Sequence, residues 1–253
     1  MKHSLIVVGD RFKAFAGNKG VVTVSGLERW LEDSEETVSD SPMQVHIGQG
    51  VPLSRLDQLV NTLRNRGIYV SESAISRLRG RANKATSHKH RSQNILISHP
   101  RKLDQGIYTL DLLIDERSEL LLDHVTGQHI QGMVLTEAAR QAFIAVTTSD
   151  LLEGVTNPYF VINRMNMSFL RFMFPVEANI EFHLTKQGAS RPDRCAYEAT
   201  IRFFQLGECL AESFVSYMAI EQQSLGPREA AMASETAEFL RLLETEEADT
   251  VGA

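Results

Sequence analysis

A carboxylate, a guanidinium and an amide recur on one predicted helix in the middle of the chain. Glu137, Arg140 and Gln141 stand at i, i+3 and i+4 of the segment Met133–Thr147, so all three share one helix face. The rest of this segment is mostly apolar, and charged groups on an apolar helix cost desolvation free energy unless they pair or meet a substrate. The pattern leaves two interpretations open, a structural Glu137–Arg140 pair or a catalytic pair that contacts substrate.

A polar loop leads into this helix. The loop Asp123–His129 contains two histidines, and Gly132 stands at the predicted helix start. Free backbone N–H groups at a helix N-terminus can hold a carbonyl oxygen or a developing oxyanion. The sequence therefore predicts that a thioester carbonyl could bind at this end of the helix.

The segment from His124 to Gln141 resembles the active-site segment of the A-factor biosynthesis hotdog family, whose members carry a similar Glu-x-x-Arg-Gln helix. It is more distantly similar to the His-x-x-Gly motif of the β-hydroxyacyl-ACP dehydratases. The resemblance extends from about Ile95 to Ile220 and includes Phe169-Leu170-Arg171-Phe172. It implies an α+β hotdog fold, in which an antiparallel sheet wraps around a central helix. It also implies acyl transfer from a β-ketoacyl-ACP to a glycerol-derived hydroxyl acceptor, in the synthesis of a γ-butyrolactone signal.

The same resemblance implies roles for individual residues. Glu137 would act as general base toward the acceptor hydroxyl, and Arg140 would hold a phosphate or the developing oxyanion. Gln141 is their neighbour, and His124 matches the catalytic histidine of the dehydratases. The substrate-binding positions implied are Gly127, His129, Gln131, Gly132, Met133 and Arg171.

The resemblance further implies an acyl carrier protein or acyl-CoA as the substrate carrier, and no cofactor. Signal-making enzymes of the family usually contain two hotdog repeats, whereas this sequence shows one, so a homodimer could supply the second. We expect no metal, because no acid or cysteine completes a ligand set with His88, His90 and His99.

Two other functions remain open from the residues. One is a hotdog thioesterase or dehydratase acting on acyl-ACP or acyl-CoA, of which the thioesterase would need little beyond a carboxylate-activated water at Glu137. A non-catalytic acyl-binding regulator would use Ser54–Arg66 and Ser71–Arg79 as a DNA-binding helix-turn-helix. Leu63 disfavours that reading, because tight packing normally needs alanine or glycine there, and Ile68–Val70 fits a strand at least as well.

The chain divides by pattern into four parts. Residues 1–76 alternate apolar runs and amphipathic stretches, which predicts a small α/β domain of unknown role. Residues 77–92 contain six bases and no acid, typical of a basic linker or of a docking strip for an acidic partner. Residues 93–222 form the predicted hotdog domain, and residues 223–253 a C-terminal helix with an acidic tail.

The predicted elements follow the same division. In the first part they are strands at Leu5–Val8, Val21–Val24 and Met43–Ile47 and helices at Gly26–Glu32 and Ser54–Arg66, with Ser54 as N-cap and Gly67 as helix stop. In the hotdog domain they are strands at Ile95–Ser98, Gly106–Ile114, Tyr159–Ile162, Asn166–Phe174, Asn179–Lys186, Ala196–Gln205 and Cys209–Ile220. A last helix is expected from about Arg228 to Glu244, after Gly226-Pro227.

Composition narrows the class of protein. The net charge of -6 belongs to the tail, since residues 1–220 carry 24 acids and 24 bases, so nucleic-acid binding is not indicated. No apolar run has membrane-spanning length, and Leu5–Val8 is too short for a signal peptide, so we expect a cytoplasmic location. Cys195 and Cys209 are expected to be reduced packing residues.

Overall fold

The computed structural model describes residues 4–33, 43–123, 127–152, 154–188, 191 and 193–251. A parallel four-stranded sheet with its helices forms what we call the N-terminal unit, and the strand order is β2-β1-β3-β4. Its elements are β1 (Ser4–Val8), β2 (Val21–Thr23), α1 (Val24–Asp33), β3 (Gln44–Ile47), α2 (Leu53–Asn65), β4 (Tyr69–Val70) and α3 (Glu72–Arg79).

The helices of the N-terminal unit cover one face of its sheet. Their apolar stripes pack with Val7, Val45 and Ile47 in one buried cluster, as the helical spacing predicts. The opposite face turns toward the rest of the chain, where Val8 joins the second buried cluster. Alternate residues of β1 therefore serve two cores.

The second sheet has six antiparallel strands in the order β5-β6-β8-β9-β10-β7. Its strands are β5 (Arg101–Asp104), β6 (Ile107–Asp111), β7 (Pro158–Phe169), β8 (Asn179–Gln187), β9 (Arg194–Gln205) and β10 (Glu208–Glu221). The helix α5 (Gly132–Val146) lies against this sheet and is buried along most of its length, with a π-helical turn at Thr147–Leu151. This is the predicted hotdog architecture. The short helix α4 (Lys84–Ser87) and the long C-terminal α6 (Gln222–Val251) complete the description.

The small residues of α5 explain why the sheet can approach it so closely. Ala138, Ala139, Ala142 and Ala145 are fully buried, and Phe143 fills the space beside them against Tyr217 of β10. Burial of apolar area of this kind is the main favourable term in folding. The unburied side of α5 is left for the polar residues.

Four predictions of local structure were wrong. The two strands expected at 159–162 and 166–174 are one strand, β7, whose pattern is interrupted by a bulge opposite Ser216 and Tyr217. The segment 95–98 makes isolated bridges instead of a named strand. Pro52, not Ser54, occupies the N-cap of α2, and α6 begins at Gln222 and runs through Pro227. Gly67 does end α2, with a positive φ of 72° that favours glycine.

Gln49 joins the N-terminal unit to the hotdog sheet. Its side chain is 1% exposed, donates to the carbonyl of Leu112 at 2.8 Å, and accepts from the N–H of Ile114 at 2.8 Å. The backbones approach closely here, since a Cβ on Gly48 would lie 2.4 Å from the Pro175 carbonyl oxygen. The carbonyl of Leu112 and the N–H of Ile114, in the segment after β6, are thus hydrogen bonded to the N-terminal unit.

The basic stretch 77–92 makes specific contacts with the rest of the chain. Arg81 donates to the carbonyls of Ile95 and Leu113, and burial lowers its pKa to about 10. Arg77 is 8% exposed and lies 3.6 Å from Glu177. The domain boundaries stay a prediction. Within the predicted linker, Arg77 and Arg81 are packed against the rest of the chain.

The residues between α2 and α3 form a strand. Tyr69 and Val70 pair in parallel with β3 as the edge of the N-terminal sheet. In a helix-turn-helix the two helices are joined by a short turn of about three or four residues. A sheet strand in that place does not support the DNA-binding interpretation.

Among the described residues, no helix combines the length and the apolar character needed to cross a membrane. The two cysteines are unpaired: Cys195 is buried and Cys209 is half-buried. Both lie in strands of the hotdog sheet, as expected for packing residues.

We predict that Gln49→Ala lowers the free energy of unfolding by about 3 kcal/mol, because two buried backbone groups lose their partner. Urea unfolding followed by circular dichroism measures this change. The control is Gln58→Ala, which removes an exposed glutamine of α2. A loss of unfolding free energy below about 1 kcal/mol for Gln49→Ala would show that this side chain does not stabilise the contact between the N-terminal unit and the hotdog sheet.

Candidate active site

Glu137 is the centre of a hydrogen-bonded cluster on α5. Arg140 donates to both carboxylate oxygens, from Nε at 2.8 Å and from Nη2 at 2.9 Å. Gln141 donates from Nε2 at 3.0 Å, and Lys89 approaches with Nζ at 2.8 Å. A side chain that is 17% exposed therefore receives four donors, which is about as many as a carboxylate accepts.

These contacts decide the ionisation of Glu137. Burial alone would raise the pKa of its carboxyl, but the hydrogen bonds from Arg140 and Lys89, with the charge of Arg140, outweigh burial and lower the pKa to about 2. Glu137 is thus ionised throughout the neutral range. A carboxylate with so low a pKa is also a weak proton acceptor.

Gln141 connects the cluster to the backbone of the preceding segment. The residue is fully buried, its Oε1 accepts from the N–H of Leu96 at 2.8 Å, and its Nε2 donates to the carbonyl of Asn94 at 2.8 Å. All three of its bonds are internal, so the structure gives Gln141 a positioning role between Glu137 and residues 94–96.

His88 and Lys89 are the residues that sequence analysis assigned to a linker. His88 follows α4 with a left-handed backbone, φ 52° and ψ 42°, and its exposed ring packs edge-on against Phe160 at 5.3 Å. Burial of part of the ring, with the charge of Arg140, lowers the pKa of His88.

Aromatic side chains surround the N-terminus of α5. A Cβ on Gly132 would lie 2.8 Å from the Phe169 ring, so glycine lets this ring lie directly over the first residue of the helix. The His129 and Phe172 rings lie 4.8 Å apart, and Met133 is exposed. Gln131 occupies the N-cap position and donates to the Leu120 carbonyl. The sequence predicts that a thioester carbonyl could bind at this end of the helix, and this stays a prediction.

One open stripe of α5 connects the Glu137 cluster with the aromatic residues around the N-terminus of the helix. Met133, Thr136, Glu137 and Arg140 are exposed or half-buried, whereas the helix positions between them are buried. At a rise of about 1.5 Å per residue, the stripe from Met133 to Arg140 is about 10 Å long. A thioester lying along it could place its acyl chain at the N-terminal end and its carbonyl at the charged cluster.

Two of the predicted site residues, Gly127 and Arg171, lie elsewhere. His124 falls outside the described residues. Gly127 packs on the N-terminal unit, where its carbonyl accepts from the N–H of Phe15 at 3.1 Å. Arg171 forms an exposed pair with Glu208 at 3.6 Å, and exposed pairs of this kind contribute little to stability. The structure does not bring Gly127 or Arg171 into the Glu137 cluster.

The model of the A-factor biosynthesis hotdog domain matches residues 70–237, about two thirds of the chain. The chain belongs to the A-factor biosynthesis hotdog domain family. The match includes all of α5 and begins before the stretch 77–92, so Lys89 and His88 lie within the family domain. No curated protein matches the chain.

Several solved structures resemble this A-factor biosynthesis hotdog domain over about half of the chain. A putative thioesterase related to phenylacetic acid degradation from Ralstonia eutropha JMP134 is 20% identical, with 47% of this chain and 82% of that chain covered and a TM-score of 0.36. A putative thioesterase from Shewanella oneidensis is 13% identical, with coverages of 51% and 87% and a TM-score of 0.39. Zebrafish thioesterase superfamily member 2 is 12% identical, with coverages of 54% and 91% and a TM-score of 0.39.

The lowered pKa of Glu137 predicts a specific pH dependence of stability. The folded pKa of about 2 lies below the usual 4.5, so the stabilisation is present above about pH 4.5 and is lost as the pH falls toward 2. Its full size is up to about 3 kcal/mol. We therefore expect Glu137→Gln to be less stable than the parent protein at about pH 6, with a smaller difference at about pH 3.

Urea unfolding at both pH values measures the two differences, and Glu238→Gln, on the exposed surface of α6, is the control. The same difference between Glu137→Gln and the parent at both pH values would contradict the assignment of a low pKa to Glu137.

Proposed function

We propose that the hotdog domain catalyses acyl transfer from an acyl thioester to the hydroxyl group of a small acceptor. The proposed donor is a β-ketoacyl-ACP or the corresponding acyl-CoA, and the proposed acceptor is a glycerol-derived three-carbon molecule. The observation that carries this proposal is the Glu137–Arg140–Lys89 cluster on the open stripe of α5, next to a glycine-started helix N-terminus. Membership of the A-factor biosynthesis hotdog domain family supports the same reaction class.

The charges of the cluster suit an anionic acceptor or transition state. Lys89 and Arg140 carry two positive charges against the single negative charge of Glu137, so the cluster is cationic in sum. Arg140 uses Nε and Nη2 on Glu137, and its Nη1 has no hydrogen-bond partner among the described residues. That nitrogen could donate to a phosphate of the acceptor or to the oxyanion of the tetrahedral intermediate.

The apolar groups around the N-terminus of α5 suit the acyl donor. Met133, Phe169 and Phe172 expose large apolar surfaces within reach of the first turn of the helix. Ligand sites for acyl groups are mostly apolar, with a few polar groups that fix orientation. We place the acyl chain along these side chains and the thioester carbonyl farther along the open stripe, within reach of Arg140.

The role of Glu137 in this reaction follows from its contacts. Sequence analysis proposed it as the general base, and that role stays a prediction. The four donors around its carboxylate favour a positioning role instead, in which Glu137 holds Arg140 and Lys89 at fixed distances from the acceptor. Arg140 would then be the group that contacts substrate.

The proposed site also needs a second copy of the chain. β7 lies at the end of the strand order and is hydrogen bonded only to β10 within the described sheet. Long unpaired edges with apolar residues are sites for pairing with another chain. We propose a homodimer through β7, which would bring the partner's sheet over the open stripe of α5.

For the dimer, we predict that light scattering gives twice the mass of one chain at micromolar concentration. Ile162→Lys, on the exposed edge of β7, should shift the protein toward monomer, because a charge opposes edge pairing. Leu103→Lys is the control, since it places the same charge on β5 at the opposite edge of the sheet. A parent protein that is monomeric and fully active would contradict the proposed dimer.

The reaction is tested by mixing the purified protein with an acyl-CoA or acyl-ACP and either glycerol 3-phosphate or glycerol. We expect an ester product in the mass spectrum, release of thiol only when acceptor is present, and a preference for the phosphorylated acceptor. Arg140→Lys should lower acyl transfer by about a hundredfold, because lysine cannot reproduce the guanidinium geometry. Equal thiol release without acceptor, with free acid as product, would show a thioesterase instead.

A further inference from the structure

The proposed reaction requires a group that accepts the proton of the attacking hydroxyl. Glu137 is poorly suited, because its Oε1 accepts from Lys89, Arg140 and Gln141 and its Oε2 accepts from Arg140. These contacts lower the pKa of its carboxyl to about 2, and protonating it would weaken its bonds to both cations. A second group near Arg140 with an unoccupied nitrogen would meet the requirement more easily.

His88 lies in this position. Its ring packs edge-on against Phe160 of β7 at 5.3 Å, and Phe160 in turn lies against Phe143 of α5 at 6.3 Å. Lys89, the next residue, bonds to Glu137 at 2.8 Å, and the His88 ring itself is within range of the charge of Arg140. The ring is exposed and therefore accessible to a substrate.

The local structure presents this ring in a fixed orientation. Asn83 caps α4 by accepting from the N–H of Thr86 at 2.8 Å, and the hydroxyl of Ser87 donates to the Asn83 carbonyl at 2.8 Å. After this turn His88 adopts the left-handed region, with φ 52°, which histidine tolerates better than most residues. The N–H of Lys89 then donates to the Lys84 carbonyl at 3.2 Å and closes the turn.

We propose that His88 is the general base of the acyl transfer reaction, and this inference rests on the proposed function. Its imidazole accepts the proton of the acceptor hydroxyl as that oxygen forms a bond to the thioester carbonyl carbon. When the tetrahedral intermediate collapses, the C–S bond breaks and the imidazolium returns the proton to the departing thiolate. The products are the ester and the free thiol, and no further reactant is needed.

The surroundings of His88 favour the neutral imidazole, which is the form that can accept the proton of the acceptor hydroxyl. Burial of part of the ring lowers its pKa, and the charge of Arg140, on α5, acts in the same direction. A neutral imidazole is therefore the form present at neutral pH, and it can accept a proton. The other charged groups of this cluster, Glu137 and Lys89, neutralise each other.

Other histidines are the rivals for this role. His124 resembles the dehydratase histidine by sequence and lies outside the described residues. His129 contacts Phe172 at the N-terminal end of α5, about two helical turns from Arg140. His90 is exposed on the same segment as His88 and serves as a matched control.

The test uses the full-length protein and the ester-forming assay described above. His88→Asn keeps a residue that tolerates the left-handed backbone, and His88→Gly leaves space for a free imidazole. We expect both variants to lower acyl transfer by about a hundredfold or more while the melting temperature stays close to that of the parent. Added imidazole should restore part of the activity of His88→Gly, and His90→Asn should match the parent.

The outcomes separate this inference from the proposed function. If the parent forms no ester with any acceptor, the proposed function fails and the role of His88 fails with it. If the parent forms ester and His88→Asn stays within about threefold of it, only the inference about His88 is overturned. The inference about His88 is also overturned if the activity of His88→Asn falls only in step with its folded fraction. It is overturned as well if imidazole restores none of the activity of His88→Gly while His124→Asn abolishes acyl transfer.

Discussion

The buried carboxylate of Glu137 is the interaction on which the arrangement of the site depends. An ionised group on an apolar helix is stable only when donors replace the water that it loses. The chain supplies Arg140 and Gln141 from the next turn of the same helix and Lys89 from a distant segment. One carboxylate therefore fixes the positions of two cations and, through Gln141, the backbone at residues 94–96.

This cluster also explains how the first third of the chain is related to the hotdog domain. The segment that carries Lys89 and His88 connects the N-terminal unit to β5, and it packs on α5 instead of crossing solvent. Gln49 forms a second joint on the other side, through the backbone of Leu112 and Ile114.

Much of the fold could be predicted from the sequence, because it follows from local periodicity. The face shared by Glu137, Arg140 and Gln141 follows from the 3.6-residue period of a helix, and their mutual bonds confirm it. The contact of Lys89 could not be predicted, because a pair separated by 48 positions leaves no local pattern. The bulge in β7 was missed for a related reason: an extra residue breaks the alternation, and the sequence then looks like two strands.

The central claim is that Glu137 and Lys89 are coupled across the structure, and a double-mutant cycle measures that coupling directly. Glu137→Gln, Lys89→Met and the double variant would be compared with the parent by urea unfolding at neutral pH. We predict a coupling free energy of about 1 to 3 kcal/mol, since residues in one ionic network do not contribute independently. A coupling near zero, with the two single effects simply adding, would show that Lys89 does not bind Glu137 and would contradict this account of the site.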